Sequence, residues 1–414
     1  PYRQLRGYAM NLYINEKDQT TAKKYALEDM ILTIDLPTTC GSKMLEGYKS
    51  LFEASVVADM EKCGYALAGK VNVGEFGFDL IGETSCFGEC VDSSGNLVSA
   101  SALLLEQKEA EAIIGVDVNG TQRRAAAQTK HICFKPTYGV VSRYGIVQTA
   151  CSGETVCISA NGISQIKEAF ETIAGHDDKD GTSLPQNLCD KAKDMSCAKA
   201  IKKVALISNM FDGVDDGIRA KANTFVSSLK QNGIETVEVT SEVMGVAGYA
   251  WNILMAAEIC NNVSRFDGVK YGYRSNNYET IDELYTASRT EAFGDVTKAT
   301  VLFGSEVLAT DNYEKMYDKS LRIRRLVVEE FNRLFETFDA VLIPACSRMA
   351  YTPQDIKQDK YLCFSENKYS APSSISGLPT VALQGIQVIA PALSDTSLLS
   401  LVGQCMPSEG GERA

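Results

Sequence analysis

Only two histidines, His131 and His176, occur in the 414 residues. That is too few for a multi-histidine metal centre, and a Ser/His/Asp hydrolase is open only if one of them is its base. The thirteen cysteines are odd in number. The opening PYRQLRGYAM lacks the apolar run and small-residue cleavage site of a secretory signal, so they read as reduced thiols buried as small hydrophobes. Cys86 and Cys90 in SCFGEC are the closest suggestive pair, but no CxxC motif occurs, and the next cysteines, Cys133 and Cys151, are distant. The expectation is no metal and no cofactor. The compartment expected is a reducing one, the cytoplasm or the mitochondrial matrix.

Any reactive group must be positioned by the elements around it, and their pattern is that of an α/β fold. VALIS at 204–208 is a short apolar run suited to a buried strand. In the following DDGIRAKANTFVSSLKQNG, Ile218, Phe225, Val226 and Leu229 recur at helical spacing, and Gly233 supplies the stop. IETVEV at 234–239 resumes strand character, completing a β-α-β unit. Later, MYDKSLRIRRLVVEEFNRLFETF places Tyr317, Leu321, Val328, Phe331 and Phe335 on one predicted helix face, and DAVLIPA at 339–345 follows as a strand. The polar stretch 176–202 reads as a long surface connection. It is a candidate hinge between two lobes, and one layered domain over 1–414 fits equally well.

Lys and Arg total 41 against 53 Asp and Glu, a formal charge of −12 that repels polyphosphate. Direct nucleic-acid binding is therefore not expected. No stretch approaches 18 uncharged apolar residues, so no membrane span is expected either.

FKPTYGVVSRYGIV at 134–147 carries a specific likeness. It resembles the KPTYGRVSRYGLV stretch of the amidase signature family, and within it the A subunits of tRNA-dependent glutamine amidotransferases. LPTTCGSKMLEGY at 36–48, KVNVGEFGF at 70–78, ETIAGHDDKDGTSLP at 171–185, SRFDGVKYGYRS at 264–275 and SGLPTVAL at 376–383 match further landmarks in the family's order. The resemblance implies a single α/β domain, a large mixed sheet covered by helices on both faces. The expectation is that the family's preceding helical region is short or missing ahead of YALEDMI, either trimmed from this sequence or lost.

The resemblance also implies a chemistry: a serine nucleophile, a second serine that relays its proton, a desolvated lysine, and backbone N–H groups that stabilise the oxyanion. The segments are present and the reactive residues are not. YALEDMI stands for the family's IAIKDNI, with Glu28 in place of the lysine and Asp29 in register. GVDVNGTQRRAA at 115–126 stands for GSDTGGSIRQPA, keeping Asp117 and Gly120 of the oxyanion loop but with Thr121 at the nucleophile. Counting back without a gap, the bridging serine falls on Leu97, and the Gly/Ala-rich loop and helix become Leu103, Leu104, Leu105, Glu106, Gln107 and Lys108. At the implied substrate clamp, Ala299 and Thr300 replace an arginine and Asn367 an aspartate, while Tyr271 and Tyr273 survive.

These losses together imply a catalytically silent relative, acting as a scaffold subunit bound to other protein subunits of a translation-linked or organellar complex. The alternative is an active amidase or amidotransferase subunit that releases ammonia from glutamine with Thr121 and an altered base, in company with tRNA-binding and linker subunits. His131, ten residues beyond Thr121, is the candidate base, with Glu28 to orient it. KHICFKP around it reads instead as a packing segment, and His176 in AGHD is shared with active relatives.

Overall fold

Eleven strands join one mixed sheet in the computed structural model, which describes residues 12–17 and 23–406. The opening PYRQLRGYAM, read above for a secretory signal, lies outside the described residues. In chain order the strands are β1 (Tyr13–Glu16), β2 (Lys24–Glu28), β3 (Ala66–Val71), β4 (Ala112–Asp117), β5 (Ile132–Lys135), β6 (Thr155–Ala160), β7 (Lys203–Ile207), β8 (Glu235–Val239), β9 (Ala340–Pro344), β10 (Thr380–Leu383) and β11 (Ile386–Ile389). Across the sheet they run β1-β3-β2-β4-β6-β5-β10-β11-β9-β7-β8. β2 is parallel to both β3 and β4, and β7 to both β8 and β9; the other pairs are antiparallel.

Successive residues of a strand point to opposite faces, and here each face has its own core. Tyr25 and Leu27 of β2 and Ala112 and Ile114 of β4 belong to the larger core, whereas Ala26 and Ile113 join a smaller one with Leu103, Leu104 and Leu105 of the helix Ala100–Glu106. The bulk that replaced the family's small residues is therefore the apolar cover of one sheet face. Strands covered on both sides read as near-continuous apolar runs, as AIIGV in β4 does.

The β-α-β unit forms as the pattern indicates: β7, the helix Asp216–Gln231 and β8, with β7 and β8 parallel. Ile218, Ala222, Phe225 and Leu229 are buried. Gly233 takes φ 74° just past the helix end, the left-handed conformation that glycine adopts without penalty. The later helix, Lys319–Phe335, buries Ser320, Val327, Phe331 and Leu334, while Leu321 is exposed and Val328 half-buried. Tyr317 and Phe335 are half-buried and pack against the core with Phe331, so the expected face is met in part, with Val327 rather than Val328 turned inward.

The stretch 176–202 is more than a connection. It contains the helix Gln186–Lys193, which buries Cys189 and Ala192. The 22-residue helix Glu242–Val263 is long and apolar enough to cross a membrane, which the count of uncharged residues did not register. Trp251, Leu254 and Met255 are buried, and it packs against the helices Asp295–Leu308, Leu362–Ser376 and Lys319–Phe335. Twelve described cysteines are free thiols; eight are buried, and Cys63 and Cys86 are exposed.

Candidate active site

Three segments meet where the resemblance places its chemistry. β2 ends at Glu28, Ser99 caps the helix Ala100–Glu106, and β4 turns through Val118, Asn119 and Gly120 into the helix Thr121–Gln128. Gly120 has φ 93°, and a Cβ there would lie 2.2 Å from that of Ser370, so both the turn and the packing demand glycine. Glu28, Ser99, Thr121 and Gln122 line what space remains, a cavity of about 10 Å³. That is at the threshold for one water and far below the ~300 Å³ lower end of ligand pockets.

Glu28 fills the lysine position. Its side chain is 1 % exposed and lies against Gly115, where an added Cβ would meet Oε2 at 2.5 Å. The Val116 N–H donates to Oε2 at 2.9 Å, the Ser101 hydroxyl approaches Oε1 at 3.4 Å, and the Gln122 amide donates to Oε1. Burial, with the nearby Asp117 carboxylate adding to it, pushes the Glu28 acid up to about 8, against the opposing hydrogen bonds. At neutral pH it is mostly the uncharged acid. It therefore neither restores the missing positive charge nor acts as an effective base.

The Thr121 hydroxyl lies 2.8 Å from the Asp79 carbonyl oxygen and 2.9 Å from Asn119 Oδ1. Neither a peptide carbonyl nor an amide oxygen takes up a proton at neutral pH, so the hydroxyl has no activating partner. The turn is also occupied: the Gly120 N–H donates to Asp117 Oδ1 at 3.1 Å. Arg123 forks Asp117, with Nε to Oδ2 at 2.8 Å and Nη2 to Oδ1 at 2.9 Å. Its remaining N–H groups reach Ser370, Ser373, Ser374 and Gln387. Burial opposes ionisation of Asp117, yet the Arg123 guanidinium holds its carboxyl below the usual range.

Thr300 is buried and turns its hydroxyl back to Val296 O at 2.8 Å, and Ala299 is half-buried beside it. The Asn367 amide, buried, lies 2.7 Å from Asn252 Oδ1. Tyr273 donates to Glu291 at 2.7 Å beneath Lys43, and Tyr271 lines a different groove. Asn367 thus lies beside Arg124 and the turn before Thr121, whereas Tyr271 lines another groove.

Leu97 does not line the small cavity. It is buried in the larger core, and its N–H donates to Tyr351 O at 2.7 Å. Ser99 and Ser101 are the hydroxyl residues placed near Glu28, and the SAS triplet just beyond Leu97 was the available signal. The structure does not bring His131 to Thr121. His131 Nδ1 is 2.5 Å from Thr129 Oγ1, its buried Nε2 has no partner among the described residues, and burial lowers its imidazole to about 4.

Arg124 escaped notice in the sequence, where it replaces the glutamine of the family string. Its buried guanidinium donates to the carbonyls of Leu80 at 2.9 Å, Asp79 at 3.0 Å and Asn119 at 3.1 Å, tying the 79–80 loop to the turn before Thr121. The signal was a charged RR doublet running into AAA on a buried helix. Asp29 and Lys70 form a second buried pair at 3.4 Å. Burial drives the Asp29 carboxyl up and the Lys70 ammonium down, each resisted by the other's charge.

A mixed eleven-stranded sheet, with a strand–turn–helix loop set against the end of a neighbouring strand, defines an α/β protein built on one large mixed sheet. The family profile described as Amidase matches residues 25–399, and the chain belongs to the amidase signature family. It is 31 % identical over 402 residues to the A subunit of the glutamyl-tRNA(Gln) amidotransferase of Coxiella burnetii, covering 93 % of this chain and 83 % of that one. With the corresponding chain from Clostridium botulinum the identity is 30 % over 391 residues, covering 91 % and 81 %. The crystal structure of the Thermotoga maritima counterpart superposes with a TM-score of 0.76 at 22 % identity, covering 94 % of this chain and 85 % of that one. Kluyveromyces lactis allophanate hydrolase gives 0.73 at 20 %, covering 92 % and 61 %.

Proposed function

We propose that this chain is a catalytically silent member of the amidase signature family, retained as a structural subunit of a larger protein assembly. The observation that carries the reading is Glu28 itself: a buried carboxyl, bonded by Val116 and Gln122, filling the place where a lysine would complete the relay. The unactivated Thr121 hydroxyl and the cavity of about 10 Å³ support it further. Loss of one member of such a unit costs orders of magnitude in rate. We propose further that it works in a reducing compartment, the cytoplasm or the mitochondrial matrix, in keeping with its many cysteines, and, by likeness to relatives named as amidotransferase subunits, in a translation-linked assembly.

Support for an assembly comes from the helical side of the molecule. Tyr249, Leu302 and Leu326 are 73 %, 72 % and 50 % exposed on three helices that pack together, and apolar side chains left open in this way are common at subunit contacts.

Glutamine hydrolysis by the purified chain tests the reading. The expectation is no ammonia release above the uncatalysed background, and none after Glu28→Lys with Thr121→Ser. Measurable hydrolysis by the unmodified chain that is abolished in Thr121→Ala would overturn it in favour of an active amidase or amidotransferase subunit. Identification of companion chains after isolation from native cells tests the scaffold role; recovery of the chain alone counts against it.

A further inference from the structure

A groove of about 590 Å³ lies apart from the Glu28–Thr121 site and shares none of its lining residues. This volume falls within the usual range for small-molecule sites. Two aromatic pairs line it. Phe52 and Tyr144 have ring centroids 5.1 Å apart, and Phe266 and Tyr271 meet edge-on at 5.9 Å. Each pair carries a cation: Lys179 Nζ is 5.1 Å from the Tyr144 centroid, and the Arg265 guanidinium is 5.0 Å from that of Phe266.

Both cations are exposed, and among the described residues neither has a carboxylate at ion-pair distance. The Arg265 Nη2 hydrogen bond goes to the Gln148 carbonyl at 3.1 Å. The nearby carboxylates are committed elsewhere. Asp180 accepts from the Arg143 N–H at 2.8 Å and from Thr182 N–H and hydroxyl at 2.9 and 2.7 Å. Asp177 accepts from the hydroxyls of Ser55 and Ser142 at 2.6 Å each and from the Lys179 backbone N–H. Arg143 itself is spent on Glu154, Thr182 and the Cys151 carbonyl. Phe266 is buried and already stacks on Phe76 at 5.6 Å, so the open aromatic surface is that of Phe52 and Tyr271, each 41 % exposed. In a chain of net charge −12, the groove offers these rings beside two cationic heads without ion-pair partners among the described residues.

We propose that this groove is a binding site for an aromatic carboxylate. The ring would stack against the aromatic walls and the carboxylate would take Arg265, whose planar fork matches it, with Lys179 adding charge.

Calorimetric titration of the full chain tests this with 2-naphthoate, its neutral counterpart 2-naphthalenemethanol, and acetate. Saturable binding of naphthoate is expected, with the alcohol at least tenfold weaker and acetate not detected. Arg265→Gln and Lys179→Gln should each weaken naphthoate at least threefold, and Thr121→Ala should leave it unchanged. Tyr271→Ala gives an independent readout on the ring should either cation variant fail to fold. Equal affinity for acid and alcohol, undiminished binding by Arg265→Gln, or no naphthoate binding at millimolar concentration would each overturn the proposal. Abolition by Thr121→Ala would reassign the ligand to the other site.

Discussion

Gln122 donates its side-chain amide to the carboxyl of Glu28, joining residues 94 positions apart at the centre of the candidate site. Both are buried, at 5 % and 1 % exposure. The contact puts two side chains into the space between β2 and the Thr121 helix, and with the Val116 N–H it gives each carboxyl oxygen of Glu28 a donor. A carboxyl held in this way is part of the packed core rather than a group presented to a substrate.

Glu28 makes stability depend on pH. Its acid titrates near 8 in the folded chain and near 4.5 when unfolded, so between those values the folded state holds the extra proton. The stabilisation is fully present below about 4.5, declines as pH rises, and is lost above about 8. Glu28→Gln keeps an acceptor for Val116 and cannot ionise. Urea midpoints measured from pH 5 to 9 should fall less steeply for the variant, which should be more stable than the parent at pH 9 by a few kcal/mol.

His131 has the opposite slope. Its imidazole titrates near 4 when folded and near 6.5 when unfolded, so the unfolded chain takes the proton first as pH falls. The stabilisation is present above about 6.5 and lost progressively toward 4. His131→Gln should flatten the acid side of the urea-midpoint profile and leave the side above pH 7 unchanged. Retention of the full acid slope in this variant would show that other groups produce it.

Arg123 and Asp117 are fully buried and paired, so removing one strands the other's charge. Arg123→Met should cost about 3–5 kcal/mol in denaturant unfolding. Arg123→Met combined with Asp117→Asn should cost less than the sum of the single substitutions. Additive costs would mean that the fork at 2.8 and 2.9 Å contributes little.

Gly120→Ala should destabilise the chain by roughly 2 kcal/mol or more, because a side chain at φ 93° is strained and would collide with Ser370. The denaturation midpoint checks this, and Gly95→Ala is the control: it is also left-handed, but nothing lies within 4 Å of its added Cβ.

The sequence alone carried the order of the family's segments, the β7-helix-β8 unit and the exchange of reactive residue types at Glu28 and Thr121. Each of these is local: a strand, a helical stripe or a residue within a recognisable string is written in consecutive positions. Tertiary structure decided what depends on several segments meeting. Ser99 and Ser101 lie by Glu28 while Leu97 does not, because a residue count cannot foresee how a loop folds back between two strands. In the Lys319–Phe335 helix Val327, not Val328, is buried beside Phe331, a one-residue choice set by what packs against the helix. His131 and Thr121 are ten residues apart in the chain, yet each is bound to other partners. Above all, the protonation of Glu28 is set by what surrounds it. A carboxylate in water and an acid in a dry core share one letter in the sequence, and only the packed environment separates them.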